Sequence, residues 1–334
     1  MPDTTSSTVK VVATNGGFKT FVAFLAAMFI FMIVFLVGIV GGFSAFASSN
    51  ANNGLVQTST LQDGGGSSIA VLEVQGVIDG SNAEYARQAV NEILDNKNIR
   101  AVVLRVDSPG GGVTASDEIW HYLQRIKEAN IPIVASYGGV AASGGYYISC
   151  CADHIIAQET TITGSIGVIA NIMTYQELLG KMGVTPITLI AQGSPEKDVA
   201  NDVYRNWTIK DKQQVRDILT SMYTIFFSRV KMGRGHVIVD EKSLKAVANG
   251  SVYTAQQALE NGLIDGIGYL DDAIAIARSR AGIASDNSTV IRLNRNTPSF
   301  GGLFGASSST ITISDIQTML HEFSMPKLMY LYNK

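Results

Sequence analysis

A run of 43 residues without a single Asp, Glu, Lys or Arg, from Thr20 to Gln62, limits this chain more than any other feature. Its first part, Phe21 to Ala47, is almost wholly apolar over 27 residues. A helix needs only about 20 such residues to cross a bilayer's hydrocarbon, so this one spans with room to tilt. The rival is a cleaved signal peptide, for which Ala45-Phe46-Ala47 offers a small-residue site. Apolar cores of signal peptides run to about 7–15 residues, however, and this run is much longer. It reads as a retained anchor. Lys10 and Lys19 precede it and no basic residue follows until Arg87. The excess of positive charge on the cytoplasmic side then puts the N-terminus inside and everything after residue 48 outside. Residues 1–19 are thus expected to be a cytoplasmic tail and 20–47 a transmembrane anchor in contact with lipid. Residues 48–68, rich in Ser, Gly, Asn and Gln, are expected to be a flexible tether.

Charge is scarce beyond the anchor as well. Only 16% of the side chains are charged, against about a quarter in ordinary soluble domains, and 46% are hydrophobic. That balance excludes disorder as the main state. A net charge of −3 provides no basic footprint, so no nucleic-acid partner is expected. Cys150 and Cys151 are adjacent, and because a vicinal disulfide is strained they read as small buried residues. The four histidines (His121, His154, His236, His321) show no ligand spacing, so no metal site is expected.

From residue 69 onward short apolar runs alternate with amphipathic stretches. Ile69–Val74, Ala101–Val106, Ile131–Ser136, His154–Ala157, Gly167–Ala170 and Thr185–Ile190 read as strands. Helices are expected over Asn82–Leu94, Thr114–Glu128, Tyr175–Lys181, Lys210–Lys231, Thr254–Glu260 and Asp271–Arg280. Strands spaced by helices argue for an α/β fold with mostly parallel pairing over residues 69–282. Residues 283–334 break the rhythm. They read as a linker and an apolar tail ending Leu328-Met-Tyr-Leu-Tyr, either frayed or a docking peptide for the same or a neighbouring subunit.

Two glycine-rich segments follow strands and open helices. Asp107-Ser-Pro-Gly-Gly-Gly lacks both the phosphate-loop lysine and the dinucleotide spacing, so it reads as a tight turn with exposed N–H groups, or as an oxyanion hole. Ala141-Ala-Ser-Gly-Gly-Tyr-Tyr places Ser143 at a helix start, where a capping serine is the commonplace explanation and a nucleophile the sharper one. A serine nucleophile needs a base. His154 and His121 read as structural or solvated. A lysine serves if burial favours its neutral form, and Lys181, Lys197, Lys210 and Lys212 are the candidates. Lys210 and Lys212 look solvent-facing beside Asp211, whereas Lys197 lies in a polar loop of the kind where active-site residues gather. Spacing alone does not choose among them.

These two segments, with Thr161-Ile-Thr-Gly-Ser-Ile-Gly-Val, Lys197-Asp198 and Gly250-Ser-Val-Tyr-Thr-Ala, occur in an order that resembles the signal peptide peptidase A family, over about residues 69–280. The resemblance implies a Clp-protease/crotonase-like fold of repeated β-β-α units behind one N-terminal transmembrane helix. It implies a serine endopeptidase with a Ser/Lys dyad in which Ser143 is the nucleophile and Lys197 the general base. Backbone N–H groups of Gly111 and Gly144 would form the oxyanion hole, and Ser165 would orient the lysine. No metal, nucleotide or organic cofactor is implied. Remnant signal peptides and other apolar peptides are the implied substrates, a homo-oligomer the implied assembly, and the bacterial inner membrane the implied location. The chain departs from the family in one respect: Gly193-Ser-Pro-Glu-Lys197 places the lysine one residue further from the glycine than usual. Two other readings compete, a crotonase-type acyl-CoA enzyme and a catalytically silent membrane scaffold. Neither requires a serine at 143 with a lysine at 197.

Overall fold

The computed structural model describes residues 55–198, 202–284, 288–295 and 329–331; the expected anchor at 20–47 lies outside them. Among the described residues no helix is long and apolar enough to cross a membrane. In order, the elements begin with β1 (Val56–Gln62), β2 (Ser67–Ile78), α1 (Gly80–Asp95), β3 (Ile99–Gly112) and α2 (Val113–Glu128). Then come β4 (Ile133–Ala142), α3 (Gly144–Ser149), β5 (His154–Ala157), β6 (Ile162–Gly164), α4 (Gln176–Lys181) and α5 (Ile209–Arg234). The remainder comprises α6 (Glu241–Val247), β7 (Val252–Thr254), α7 (Ala255–Glu260), β8 (Gly266–Ile267), α8 (Leu270–Arg280), β9 (Ser288–Arg295) and β10 (Met329–Leu331).

The strands join into one mixed sheet in the order β1-β9-β2-β3-β4-β5-β8, with β6 and β10 attached to β4 and β3 and β7 paired with β6. From β9 to β8 the pairing is parallel, whereas β1–β9, β3–β10 and β6–β7 are antiparallel. Side chains of a strand alternate between faces, and here both faces are covered. Leu72, Val74, Val102, Leu104 and Tyr137 point into a large core with Ala86, Val90 and Ile93 of α1 and Ile119, Leu123 and Ile126 of α2. Val71, Ala101, Val103 and Val134 point the other way, against Ala273 and Ala277 of α8. That two-sided burial explains why these strands read as continuous apolar runs. Helix starts are fixed by side chains: Asp79 accepts from the Ser81 and Asn82 N–H groups (2.9 and 3.0 Å), and Thr208 from that of Asp211 (3.2 Å).

The structure corrects four local expectations. Asp107–Gly112 is not a tight turn but the extended end of β3, with the helix starting directly at Val113. Residues 167–170 form no strand; the strand lies a few residues earlier, as β6, where Ile162–Gly164 pairs beside Val140–Ala142. Thr185–Ile190 also forms none: Ile187 and Leu189 are 81% and 90% exposed, so its alternation has no described face to pack on. β1 runs through the stretch expected to be tether, and β9 through the one expected to be linker, so the sheet extends past 69–282 at both ends.

Candidate active site

β3 and β4 pair in regular register from Val102↔Ile133 to Val106↔Tyr137, then slip, and resume once at Ser108↔Ala141. Gly138 makes the slip possible, because a Cβ there would lie 2.7 Å from the Asp107 carboxyl group. That carboxylate accepts the Val140 N–H at 3.1 Å and pins the bulge. Bulges re-aim the residues that follow them. This one delivers Ser143, just past the end of β4, beside the glycines at the end of β3.

Ser143 precedes α3 at the capping position, yet its side chain makes no capping bond. Its backbone sits at φ 54° and ψ −114°, outside the regions that side-chain-bearing residues occupy freely. Such a conformation costs on the order of 1–3 kcal/mol and persists only where surrounding bonds impose it. Those bonds are present: the Ser143 N–H donates to Gly164 O and the Tyr147 N–H to Ser143 O, both at 2.8 Å. Ser143 is fully buried, and its Oγ has no hydrogen-bond partner among the described residues. The capping explanation therefore fails.

Gly144 and Gly111 lie against each other. A Cβ on Gly144 would fall 3.2 Å from the Gly111 backbone nitrogen, and one on Gly111 would collide with Ile78 O at 2.0 Å. Only glycine lets these two backbones approach. Two serines that the sequence did not single out brace the arrangement. Ser108 Oγ accepts the Gly110 N–H at 3.1 Å, and the buried Ser116 hydroxyl donates to Gly112 O at 2.9 Å. Thr163 adds a bond from its hydroxyl to Ala141 O at 2.6 Å. Their only signal in the sequence is a small hydroxyl residue within a few places of a glycine run.

Ser165 is buried, at φ 51°, with its N–H on Ser251 O at 2.7 Å; it directly follows the Gly164 whose carbonyl holds Ser143. Lys197 is placed differently. It is exposed on a turn, and among the described residues no hydrogen bond joins it to Ser143 or Ser165. The loop around it is anchored by Arg205, which bonds Asp198 at 2.7 Å and Asp211 at 2.5 Å. The other lysines stay out of the site: Lys181 ends the last turn of α4, Lys210 pairs with Glu196, and Lys212 is exposed. His154 pairs with Val134, at the opposite end of β4 from Ser143. Burial lowers its pKa although Asp265 lies 3.8 Å off, consistent with a structural role. His121 is exposed.

Residues 125–284 match peptidase family S49, and residues 73–163 match the Clp protease family. A protein of Enterococcus faecium assigned as a signal peptide peptidase SppA is 35% identical over 253 residues, 72% of this chain and 71% of that one. A Synechocystis protein assigned as a protease is 34% identical over 247 residues, 74% of this chain and 86% of its own length. The chloroplastic serine protease SPPA of Arabidopsis thaliana is 32% identical over 230 residues, 69% of this chain but 33% of that longer protein.

Proposed function

The chain belongs to peptidase family S49 and is a serine peptidase, and from that membership we propose that it cleaves apolar peptides through a Ser143/Lys197 dyad. The observation that carries the assignment of Ser143 is its combination of strained backbone, complete burial and an unpartnered hydroxyl beside two close-packed glycines. A group built this way is held in place by its neighbours, so little of its position has to be found during reaction.

In the proposed reaction the neutral amine of Lys197 accepts the Ser143 proton, and Oγ attacks the peptide carbonyl. The N–H groups of Gly111 and Gly144 stabilise the oxyanion, and Lys197 returns the proton to the leaving amine. Water activated by the same amine then hydrolyses the acyl-enzyme. Ser165 keeps the lysine aimed. The residues need no metal, nucleotide or organic cofactor for these steps.

Burial favours a neutral amine, and in the single chain Lys197 is exposed. A second copy packed on this face supplies the burial. Met182, Ile187, Leu189 and Ile209, each more than 65% exposed, form apolar surface suited to such a homo-oligomer. Residues 20–47 hold the assembly in the bacterial inner membrane with residues 1–19 in the cytoplasm and the peptidase body outside. Its fold is a mixed α/β, Clp-protease-like domain in which β1-β2-α1 and β5-β6-α4 run β-β-α, while β3-α2 and β4-α3 carry one strand per helix. Remnant signal peptides are apolar substrates available in that setting. A cavity of about 360 Å³ beside Ser165, lined by Ile166, Val168, Leu219 and Tyr223, offers them an apolar wall.

A fluorophosphonate probe tests the reading: it labels the full chain in detergent at Ser143. Ser143→Ala and Lys197→Ala each abolish cleavage of an apolar peptide while circular dichroism stays unchanged. Full activity in Lys197→Ala would overturn the dyad.

A further inference from the structure

α3 begins directly after Ser143, and the residues that follow its other end, Cys150 to Ala152, border a polar cavity of about 320 Å³. The rest of the wall comes from α2, from the last turns of α5 and the residues just after it, and from the end of α8. Three of the side chains there are basic: Lys127, Arg229 and Arg280. Asp153 is the one carboxylate in the wall, and Lys127 pairs with it at 3.1 Å. The cavity is therefore lined by positive charge in excess.

Trp120 forms the inner part of the wall and is 8% exposed. The Arg229 guanidinium lies over its ring at 3.7 Å, and its indole Nε1 is buried with no hydrogen-bond partner among the described residues. Leaving a buried donor unpaired costs about 1–3 kcal/mol. Arg229 itself is held loosely, since its contacts with the Tyr147 hydroxyl and the Asp117 carboxylate are both 3.4 Å. Arg280 is exposed, with its Nη2 3.5 Å from His154 Nδ1. A helix C-terminus favours cations, which accounts for basic residues in the last turns of α2 and α8. It accounts neither for Arg229, more than a turn inside α5, nor for the orphaned indole N–H.

We propose that this cavity binds a phosphate ester, with Arg229 and Arg280 holding the phosphate oxygens and the Trp120 N–H donating to the same ligand. A guanidinium is a planar fork that bonds two phosphate oxygens at once. Stacking on Trp120 uses the face of Arg229 and leaves its edge donors to a ligand. Three basic groups against one carboxylate suit a dianion. A volume of about 320 Å³ falls at the lower end of small-molecule sites, roughly 300–1,000 Å³, and leaves room for a small polar group on the phosphate. Gln124 and Asp153 offer acceptors for hydroxyls on that group. A soluble polyol phosphate and the head group of an anionic phospholipid both present this chemistry. The proposal stands apart from the assignments of Ser143 and Lys197.

The chain has two tryptophans, Trp120 and Trp207, so Trp207→Phe leaves Trp120 as the one indole reporter. The full chain with that change, in a neutral detergent at constant ionic strength, is titrated with glycerol 3-phosphate and separately with micelles containing phosphatidylglycerol. A saturable change in Trp120 emission is the expected result. Response to glycerol 3-phosphate identifies a soluble ester as sufficient; response to phosphatidylglycerol alone identifies a lipid head group. Arg229→Gln and Arg280→Gln each raise the midpoint about 10-fold, the scale of one charge-assisted bond. Lys181→Gln, outside the cavity, leaves the midpoint in place. Arg280 is exposed, so its replacement keeps the test open even where Arg229→Gln disturbs folding. Emission unchanged by both probes overturns the proposal, as does a response whose midpoint Arg280→Gln does not move.

Discussion

The hydroxyl oxygen of Ser116 stands 2.6 Å from the point a Cβ on Gly144 would occupy, while donating to Gly112 O at 2.9 Å. One buried hydroxyl thus fills the gap between the two backbones proposed to hold the oxyanion. Gly144→Ala places a methyl group on that hydroxyl and against the Gly111 nitrogen, so one of them shifts. Activity is expected to fall at least 100-fold, the scale of losing an oxyanion donor. Ser116→Ala, which removes the brace without a clash, lowers kcat about 10-fold with KM steady, and Ser116→Thr restores part of it. Unchanged kcat in both Ser116 variants would show that the brace is dispensable.

Arg205 gathers the loop that carries Lys197. Hydrogen bonding first to Asp211 and then to Asp198 raises its pKa, and Asp211 is held well below the usual carboxylate range chiefly by the same guanidinium. Asp211 also completes the capping box of α5 with Thr208. Arg205→Ala is therefore expected to lower kcat about 10-fold or more by releasing the residue next to the lysine, with the melting temperature changed by only a few degrees. Kinetics and calorimetry on the same preparation separate the two effects.

Arg234 of α5 is almost fully buried and grips Asp265 with two bonds of 2.7 and 2.9 Å. Burial works to raise the pKa of Asp265, but the guanidinium and the Ile155 N–H outweigh it and hold the carboxyl below its ordinary 3.8. A depressed carboxylate stabilises the fold fully above about pH 4. That contribution is lost as pH falls through the lowered value. Asp265→Asn is expected to flatten the acid limb of a denaturation curve. Arg234→Met, which leaves the carboxylate buried and unpaired, is expected to cost about 3–5 kcal/mol. An acid limb unchanged in Asp265→Asn would remove the pair from the account.

Cys150 and Cys151 are free and buried, and burial pushes the Cys151 thiol up to about 12 and Cys150 higher still. Iodoacetamide at pH 8 is expected to label neither in the native protein and both in denaturant. Rapid native labelling would contradict their place in the core.

How far the sequence reaches follows from the physics of each part. Strands buried on both faces, such as Val102–Val106, announce themselves as apolar runs. Helix starts are equally legible where a side chain caps them, as at Thr254 before α7. β1 and β9 are hidden, because β1 is polar, β9 mixes polar with apolar residues, and each finds its partner at the other end of the chain. Thr185–Ile190 showed the opposite fault, a strand-like alternation with no described surface to bury it. In the site, the glycine runs marked where backbones meet, whereas Ser116 carried no visible pattern. Its role depends on α2 crossing the end of β3. Lys197 stands out only through the family resemblance, and its exposed turn in the single chain is a feature that no spacing in the sequence records.

The pairing of β1 with β9 sets an order of events during synthesis. Ser59 receives its bond from Asn294, 235 residues later in the chain. A ribosome adds about 5–20 residues per second, so the edge of the sheet stays unpaired for tens of seconds after β1 has emerged. β2 waits equally long for β9, its neighbour on that side. The last strand to form, β10, is also the one seated beside Gly111. β3 and β4, which carry the glycine edge and lead to Ser143, pair across only about 30 residues, so they stand together before either end of the sheet is closed.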